Sequence, residues 1–503
     1  MRILFVYPEF PDTFWSFKHA LQFIRKKASF PPLGLLTVAA LLPREWEKRL
    51  IDMNVTTLRR EDVEWADYVF LSAMVVQRES ARQVIRLCKD IGTKIVAGGP
   101  LFIGEYQDFD EVDHFVLGEG EVTLPLFLED LARGQPKRVY QSNEFADMTK
   151  TPTPLWELMD MKQYSSMCIQ YSRGCPFNCE FCNITAMFGH RPRTKTAQQI
   201  IAELDALYEL GWRGGVFFVD DNFIGNKRQL KTEILPALIE WRKDKKGFGF
   251  QTEVSINLAD DPELLRLMVE AGFDRVFVGI ETPDEESLAE CNKFQNRGRD
   301  LAAAVRTLQH AGLEVQGGFI VGFDSDKPSI FQRQIDFIQR TGIVTAMVGL
   351  LQAPYGTRLY ERLKAEGRLL GKLSGNNTDN TMNFIPKMDP DILHRGYERI
   401  LNTIYSPRHY YERVRTFLKE YQKPPTIKPV LQKEHILAFF KSIVKLGIWG
   451  KERLEYWKLF FWALFRRPKL FPQAITFAVY GYHFRRICEL YIGRDQARQT
   501  SPS

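Results

Sequence analysis

The stretch RGCPFNCEFC at residues 173–182 decides the interpretation, because it sets Cys175, Cys179 and Cys182 in a C-x3-C-x2-C run directly after a glycine. Thiolates bind zinc or iron, and the number and arrangement of the ligands decide between the two metals. A closed zinc site needs four ligands, and His190, eight residues further on, could supply the fourth. The alternative is a [4Fe-4S] cluster held at three irons, whose fourth iron is open to a ligand that is not protein.

The residues around this run alternate between short apolar segments and amphipathic segments. The amphipathic segments, such as 197–210, 262–271 and 298–311, have the three-to-four-residue spacing of helices. Six such βα units predict a parallel (β/α)6 barrel or part of one, with its chemistry at the carboxyl ends of the strands. The cysteine run follows the first of these strands. The predicted strands are 168–172, 215–221, 248–256, 275–281, 314–323 and 346–353.

A C-x3-C-x2-C run with an aromatic residue, Phe181, before its last cysteine resembles the signature of the radical S-adenosylmethionine (SAM) superfamily. The resemblance implies a [4Fe-4S] cluster on Cys175, Cys179 and Cys182, with SAM chelating the open iron through its amino and carboxylate groups. It also implies that an electron from the cluster splits SAM to a 5′-deoxyadenosyl radical. A small electron-transfer protein such as flavodoxin or ferredoxin would supply that electron.

Further motifs of the same superfamily follow in order along the barrel. The second strand ends in VDDNF, the fourth in GIET, and the fifth contains GGFIVGF. By the resemblance these motifs receive the amino group, the ribose and the adenine of SAM. The acid that often follows the last motif is Ser325 here, between Asp324 and Asp326. The predicted SAM-binding residues are Asp220, Asp221, Asn222, Glu281, Gly318, Ile320 and Gly322.

The N-terminal part of the chain shows a separate alternation of strands and helices. Apolar runs at 2–7, 68–73, 94–98 and 113–117 alternate with helical patterns at 33–42 and 80–90. This alternation predicts a doubly wound, Rossmann-like parallel sheet that binds its ligand at the carboxyl ends of its strands. For 503 residues we expect about three domains. The predicted division is residues 1–145, a linker at 146–165, a barrel at 166–355 and a mostly helical extension at 356–503.

A doubly wound domain before such a barrel resembles the cobalamin-binding class of radical SAM enzymes. The stretches 29–42, 71–77, 96–100 and 117–121 match that class in order and spacing. Glycines at a strand end would let the backbone lie close to the flat corrin ring. The predicted cobalamin-binding residues are Ser72, Met74, Gln77, Gly98, Gly99, Pro100, Glu119 and Gly120.

The sequence departs from the class at the position of the cobalt-binding histidine. Many cobalamin domains supply it from a D-x-H-x-x-G motif, and the equivalent stretch here is DMNVTT at residues 52–57. Asn54 stands in place of the histidine and Thr57 in place of the glycine. Since a neutral amide is a poor cobalt ligand, the sequence predicts bound cobalamin without a histidine beneath the cobalt.

The C-terminal region carries the positive charge of the chain. The net charge is +6, and from residue 431 onward there are 13 Lys and Arg against 5 Asp and Glu. A broad apolar helix at 451–467 with basic ends suits a membrane interface, although core helices with such ends are more common. The region resembles the extension of bacterial hopanoid 2-methylases and archaeal tetraether ring synthases, which act on lipid hydrocarbon. No motif for nucleic-acid binding accompanies the charge.

Cysteine usage and hydropathy predict a protein of the cytoplasm, with a possible position at the inner membrane surface. Seven cysteines are too few for a disulfide framework, and the chain shows neither a signal peptide nor the run of roughly 18 apolar residues that a membrane span needs. Cys88, Cys168, Cys291 and Cys488 are predicted to be structural thiols.

Three hypotheses for the function follow. The first is a cobalamin-dependent radical SAM methyltransferase acting on an unactivated carbon of a small molecule or lipid. The second keeps the radical and forms a carbon–carbon bond or closes a ring, with cobalamin as a redox partner. The third is a non-catalytic protein that binds cobalamin or zinc.

Overall fold

The first sheet is fully parallel and has six strands in the order β2-β1-β3-β4-β5-β6. Residues 3–6 of β1 are all buried, because helices cover both faces of the sheet. The computed structural model describes residues 1–422 and 433–499, with side chains described as far as Ile492. The strands are β1 (Arg2–Tyr7), β2 (Glu47–Asp52), β3 (Tyr68–Ser72), β4 (Lys94–Gly98), β5 (His114–Val116) and β6 (Val139–Tyr140).

Helices lie on both faces of this sheet. Apolar side chains of α3, α4 and α5 form one core with the sheet, and those of α2 and α6 form a second core on the opposite face. This is the doubly wound arrangement that the sequence predicts. The helices are α1 (Lys18–Leu21), α2 (Leu33–Leu41), α3 (Arg60–Trp65), α4 (Arg78–Ile91), α5 (Pro100–Glu105) and α6 (Gly120–Ala132).

The second sheet is also parallel, and its six strands follow one another in chain order, β7-β10-β11-β12-β13-β14. This order confirms the predicted partial (β/α)6 barrel. A small antiparallel pair, β8 with β9, stands beside its first strand. The strands are β7 (Ser166–Ile169), β8 (Ser172–Arg173), β9 (Arg193–Thr194), β10 (Gly215–Phe218), β11 (Gly249–Val254), β12 (Phe273–Glu281), β13 (Glu314–Val321) and β14 (Ala346–Leu350).

Alternate residues of the barrel strands are buried under the helices. In β12, Val276, Val278 and Ile280 are completely buried, whereas Phe277 and Gly279 face the other way, into the barrel. The helices that cover the sheet are α7 (Ile184–Phe188), α8 (Ala197–Glu209), α9 (Lys227–Gln229), α10 (Leu235–Arg242), α11 (Pro262–Ala271), α12 (Glu285–Glu290), α13 (Leu301–Ala311) and α14 (Ile330–Thr341).

The C-terminal region is mostly helical, as predicted. Residues 423–432 and 500–503 of the predicted extension lie outside the described residues. Among the described helices none is both long and apolar enough to cross a membrane. The helices are α15 (Arg358–Ala365), α16 (Pro390–Ile404), α17 (Pro407–Glu420), α18 (Lys433–Ser442), α19 (Arg453–Arg466) and α20 (Phe471–Gln499).

Helix α20 packs against the N-terminal loop and the barrel. Phe484 stacks on Phe14 with ring centroids 4.3 Å apart, and the His483 Nε2 atom donates to the Phe14 carbonyl at 2.9 Å. The neighbouring Trp15 meets the ring of Phe277 edge-on at 5.5 Å. The last helix and the first loop of the chain therefore close one end of the barrel together.

Candidate functional site

The cysteine loop begins where the first barrel strand ends. Gly174 has a φ of +92°, and a Cβ atom there would lie 2.9 Å from the Arg191 carbonyl oxygen and 3.0 Å from that of Gly189. The Cys175 N–H donates to Gly189 O at 3.3 Å. Glycine before the first cysteine therefore lets the loop lie tightly against the segment that follows it.

The three thiols are partly buried in one loop. Loss of hydration raises the pKa of Cys175 and raises that of Cys182 to about 12, so these thiols need a cation to become thiolates. No three His, Cys, Asp or Glu side chains of the described residues converge as ligands of a single metal ion would, and His190 is exposed. In a four-iron cluster each thiolate binds a different iron atom, so the three thiols need not converge. The donor set fits a cluster.

The acids after β10 have different surroundings. Asp220 is buried and accepts from the Tyr171 N–H at 3.1 Å and from the Ser172 hydroxyl at 2.6 Å, which fixes the start of the cysteine loop. Burial raises the pKa of Asp220 to about 7 and that of Asp221 to about 6. The Asp221 Oδ2 atom is buried with no hydrogen-bond partner in the described part of the chain. An unpartnered buried acceptor fits a ligand with an amino group.

Asn222 connects this strand end to the cluster loop. Its Nδ2 atom lies 4.0 Å from the Cys175 sulfur, and its Oδ1 atom accepts from the Ser255 N–H at 3.2 Å. The side chain is almost completely buried. Its position therefore allows a contact with the thiol, while its oxygen already accepts from Ser255, the residue that follows β11.

Glu281 ends β12 in a strained conformation beside a buried lysine. Its φ is +61°, which is costly for a residue with a side chain, and its Oε1 atom pairs with Lys293 Nζ at 2.7 Å. Burial alone would lower the pKa of Lys293, but Glu281 and the thiols of Cys179 and Cys182 together raise it. The site therefore holds a permanent cation next to the cysteines.

The glycines of β13 make room at the same end of the barrel. A Cβ atom on Gly318 would lie 2.7 Å from the Phe277 ring, and Gly322 has a φ of +106°. Ile320 is partly buried and packs in the same apolar cluster as Phe181. Asp326 accepts from the Gly322 N–H at 2.8 Å, so this acid shapes the turn.

The carboxyl ends of β3 and β4 meet in the N-terminal domain. Gly99 has a φ of +89°, and a Cβ atom there would lie 2.5 Å from the Ser72 hydroxyl. The Gln77 side chain is buried. Its Oε1 atom accepts from the Met74 N–H at 2.8 Å, and its Nε2 atom donates to the Pro8 carbonyl oxygen at 2.5 Å. Met74 itself is exposed, and Gly98 and Pro100 are partly exposed. The predicted cobalamin residues of these strands therefore share one edge, which Met74, Gly98, Gly99 and Pro100 leave open.

Glu119 has a different setting, because its carboxylate is directed towards the barrel. It pairs with Arg173 at 2.8 Å and with Arg193 at 2.9 Å, and it accepts from the Ala146 N–H at 2.9 Å. Gly120, the next residue, begins α6 and is partly exposed. The side chain of Glu119 is thus fully engaged by protein groups and joins the N-terminal domain to the strand pair β8–β9.

Asn54 is held by its neighbours. Its Oδ1 atom accepts from the Phe10 N–H at 2.9 Å, and its Nδ2 atom donates to Pro8 O at 3.1 Å and to Asp52 at 2.7 Å. Asp52 is buried and accepts from the Tyr164 hydroxyl at 2.8 Å. Both side chains are therefore occupied in fixing the ends of β1 and β2.

A strap at residues 371–383 connects the last barrel strand to the N-terminal domain. A Cβ atom on Gly375 would lie 2.6 Å from the Val76 N atom, so the strap lies directly on the segment after β3. Arg78 donates to the strap at Leu373 O across 2.8 Å. At the other end, Asn383 exchanges two hydrogen bonds with the backbone of Ala353, at 2.8 and 2.9 Å. The predicted cobalamin and barrel sites are thus bordered by a common segment.

Several residues that lie at these sites were not predicted from the sequence. Lys293 and Gln295 belong to the segment CNKFQN, and an unusual density of amides and a lysine just after GIET was the available signal. Glu253 is the other, on the inner face of β11; burial, and then Asp221 and Asp220, raise its pKa to about 8. The one charged residue of the strand GFQTEV was the signal there.

Family models match three parts of the chain. They are a B12 binding domain at residues 25–128, the radical SAM superfamily at residues 169–338, and a domain of unknown function (DUF4070) at residues 357–497. A hopanoid C-2 methylase of Rhodopseudomonas palustris is 37% identical over 473 residues, which cover 91% of this chain and 88% of the relative. The chain belongs to the cobalamin-dependent radical SAM methylases.

Other relatives and solved structures agree with this family. An uncharacterized methyltransferase of Synechocystis sp. is 42% identical over 498 residues, which cover 97% of this chain and 92% of the relative. The cobalamin-dependent SAM radical enzyme OxsB, solved with aqua-cobalamin and SAM, has the same fold with a TM-score of 0.63 at 16% identity, covering 100% of this chain and 81% of that chain. The radical SAM methyltransferase TsrM of Kitasatospora setae gives a TM-score of 0.61 at 14% identity, covering 90% of this chain and 97% of that chain.

Proposed function

We propose that this radical SAM methylase transfers a methyl group to an unactivated carbon of a lipid hydrocarbon. The observation that carries the proposal is the likeness along almost the whole chain, extension included, to a relative named as a hopanoid C-2 methylase. An amphipathic surface on the C-terminal helices, described below, supports an encounter with a lipid. In the proposed division of the chain, this surface belongs to the extension at 356–503, beyond the cobalamin domain at 1–145 and the barrel at 166–355.

The residues at the barrel end would bind and align the cofactors. The cluster, SAM and cobalamin together supply hydrogen abstraction and a transferable methyl group. Cys175, Cys179 and Cys182 would hold three irons of the cluster, while the free oxygen of Asp221 would accept from the amino group of SAM. Glu281 would receive a ribose hydroxyl, and the turn at Gly322 would let the adenine approach the backbone. A flavodoxin-like or ferredoxin-like protein would deliver the electron.

The open edge at Met74, Gly98 and Gly99 would hold the corrin ring, with no histidine beneath the cobalt. Asn54, at the position of the histidine, uses both its amide oxygen and its amide nitrogen in contacts with protein. Cobalamin held at this edge would supply a transferable methyl group. The chain would then serve to position the ring and to exclude water from it.

The helices α18 and α19 expose an unusual amount of apolar surface. Nine of the nineteen large apolar side chains that are exposed among the described residues lie between 436 and 465. Trp449 is 79% exposed and Phe465 is 76% exposed. Ile436, Phe440, Val444 and Ile448 recur every four residues and so follow one face of the first helix and its continuation.

The opposite faces of the same helices are packed into the protein. Tyr456, Leu459 and Ala463 of α19 are buried, and Phe460 meets Phe439 at 6.2 Å. The two helices therefore have an inner face that contributes to the core and an outer face without a partner in the described part of the chain. Such an exposed patch marks an interaction site.

Basic side chains border the exposed face. Lys451 and Arg453 stand beside Trp449 and Leu454, and Arg466 follows Phe465. None of these three cations pairs with a carboxylate among residues 1–422 and 433–492. An apolar face with a basic border binds the surface of an anionic bilayer. We infer peripheral contact with the cytoplasmic surface of the inner membrane.

Sedimentation with vesicles tests the membrane contact. We expect the protein to bind vesicles that contain phosphatidylglycerol, and the double variant Trp449→Ser/Phe465→Ser to lose most of this binding. Lys451→Glu/Arg453→Glu should weaken binding to anionic vesicles specifically. The control Leu126→Ser/Leu210→Ser removes exposed apolar side chains elsewhere and should bind normally. Equal binding by all variants, or self-association through the same face instead, would refute the membrane contact.

Turnover tests the methylation itself. The reconstituted enzyme is incubated without oxygen with cobalamin, a reductant, a bacterial lipid extract and SAM that carries a deuterated methyl group. We expect a lipid product whose mass increases by one labelled methyl group, together with 5′-deoxyadenosine. A product that has lost hydrogens without gaining the label would instead support ring closure and refute methylation.

A further inference from the structure

The segment at residues 291–297, CNKFQNR, lies between the end of β12 and the cysteine loop. The Glu180 N–H, inside the cysteine loop, donates to Cys291 O at 2.9 Å. The Asn296 Nδ2 atom donates to the carbonyl oxygens of Gly279 and Ile280, both at 3.0 Å. The segment is therefore fixed to the cluster loop on one side and to the strand end on the other.

Two side chains of this segment are directed at the cysteines. The Gln295 Nε2 atom lies 3.7 Å from the Cys179 sulfur, within the range of an N–H···S hydrogen bond. The Lys293 side chain is largely buried, with 13% of its surface exposed, and its ammonium interacts electrostatically with the thiols of Cys179 and Cys182. Neither residue has a role in the site described above beyond the pairing of Lys293 with Glu281.

The backbone beside Lys293 accommodates its ion pair with Glu281. A Cβ atom on Gly279 would lie 2.3 Å from Glu281 Oε1 and 2.9 Å from Lys293 Nζ, so a side chain at this position would displace the ion pair. Glu281 and Asn292 both have positive φ angles, +61° and +56°, although neither is glycine. The cost of the positive φ at Glu281, on one side of the ion pair, indicates that the position of the pair is required.

Reduction of a cluster adds one electron and makes its charge more negative. A buried cation stabilises that reduced form, and so does a hydrogen bond to a thiolate sulfur, because each offsets part of the added charge. We propose that Lys293 and Gln295 are positioning residues that raise the reduction potential of the cluster, Lys293 by its charge and Gln295 by its hydrogen bond to Cys179. The electron comes from a reduced low-potential carrier protein, which is oxidised in turn.

A reductive titration followed by electron paramagnetic resonance tests the proposal, on the full chain with its cluster and without SAM, cobalamin or lipid. Lys293→Met and Gln295→Leu should each shift the midpoint potential to more negative values, and Gln295→Glu should shift it further than Gln295→Leu. Lys293→Arg keeps the charge and should stay near the wild-type potential. The matched control Lys327→Met removes an exposed lysine that pairs with Glu286 and should cause no shift.

A double variant distinguishes the effect of the charge of Lys293 on the potential from a structural effect of its replacement. Lys293→Met/Glu281→Gln removes both charges of the pair, and its potential should lie above that of Lys293→Met alone. Unchanged potentials in Lys293→Met and Gln295→Leu at full iron content would overturn the proposal. If Lys293→Met does not take up iron, the comparison of Gln295→Leu with Gln295→Glu decides alone. Because no lipid is present, this outcome is independent of the proposed methylation.

Discussion

Arg173 donates from its Nη1 atom to the Glu119 carboxylate at 2.8 Å and so joins the N-terminal domain to strand β8 immediately before the cysteine loop. Glu119 precedes α6 in the first domain, and Arg173 stands two residues before Cys175. Glu121 also binds the same guanidinium, at 2.8 Å. The domain that would hold cobalamin is therefore fixed directly to the loop that would hold the cluster.

Glu119→Gln should destabilise the protein by about 3 kcal/mol, since it leaves two guanidinium groups with a lost charge partner in a buried site. The Glu119 side chain is only 2% exposed, and it pairs with both Arg173 and Arg193. Glu129→Gln, on the same helix but exposed, should change the free energy of unfolding by less than about 0.5 kcal/mol. Denaturant unfolding of the metal-free protein measures the free energy of unfolding of both variants. Equal losses in the two variants would contradict a stabilising role for the ion pairs of Glu119.

Gly99→Ala should lower the free energy of unfolding by about 2 kcal/mol or more, because the new Cβ adds a clash with Ser72 to an unfavourable φ. The variant should also take up less cobalamin. Gly134 has a similar φ of +75° but open space around it, so Gly134→Ala should cost only about 1 kcal/mol. Normal cobalamin uptake by Gly99→Ala would argue against a ring at this strand end.

His483 should make stability fall in mild acid. Burial, and also the charge of His19, lower its folded pKa to about 4, below the ordinary 6.5, so the unfolded chain binds the proton first. Stability is then lost as the pH falls from about 6.5 towards about 4, by roughly 2 kcal/mol between about pH 7.5 and about pH 5. His483→Phe should flatten this dependence, and His190→Phe, at an exposed position, should not. Parallel pH profiles for wild type and His483→Phe would contradict the assignment.

Bound cobalamin, reduced to the cobalt(II) state, should give a paramagnetic resonance spectrum without nitrogen splitting from a protein imidazole. Asn54→Ala should leave this spectrum unchanged, because the amide contacts Phe10, Pro8 and Asp52 instead of the cobalt. It should still reduce stability, by about 1–3 kcal/mol, since it removes those hydrogen bonds. A nitrogen splitting that changes when the histidines of the wild type carry ¹⁵N, and so differs from the splitting by the benzimidazole of the cofactor, would refute the absence of a histidine ligand.

Most of the fold follows from local patterns in the sequence. The predicted strands at 2–7, 94–98 and 275–281 correspond to β1, β4 and β12, because their apolar runs are buried on one or both faces. The helix prediction for 262–271 matches α11, where Asp261 caps the helix and Gly272 ends it. In these elements the capping residues and the regular spacing of apolar residues are enough to predict the structure.

The missed strands lack such signals. The strand β2 (EKRLID) is polar because it lies at the edge of its sheet, and only its pairing with β1 makes it a strand. The strands β6, β8 and β9 have two residues each, too few for any pattern. The position of α20 against Phe14 could not be predicted either, because that contact spans more than 460 residues of chain.

The residues of the candidate site also fall into those that a local sequence pattern predicts and those that it does not. The cysteine loop has a motif of fixed spacing, so Cys175, Cys179 and Cys182 could be selected from the sequence. Lys293 and Gln295 reach the loop from a different strand end, so the polar composition of CNKFQN could mark the segment but not its approach to the cysteines. The engagement of the Glu119 side chain by Arg173 and Arg193 likewise depends on how two separate sheets pack.

Reductive cleavage of SAM by the reconstituted cluster tests the central claim most directly, namely that three cysteines hold a cluster with one iron open to SAM. The wild type, prepared without oxygen, should bind iron and sulfide and form 5′-deoxyadenosine from SAM and a reductant. Cys179→Ala should form none while keeping its fold and its cobalamin uptake, and Cys168→Ala, at a buried thiol of β7, should retain both the cluster and the cleavage. Cleavage at the normal rate by Cys179→Ala, or a wild type that binds zinc in place of iron and sulfide, would contradict the account.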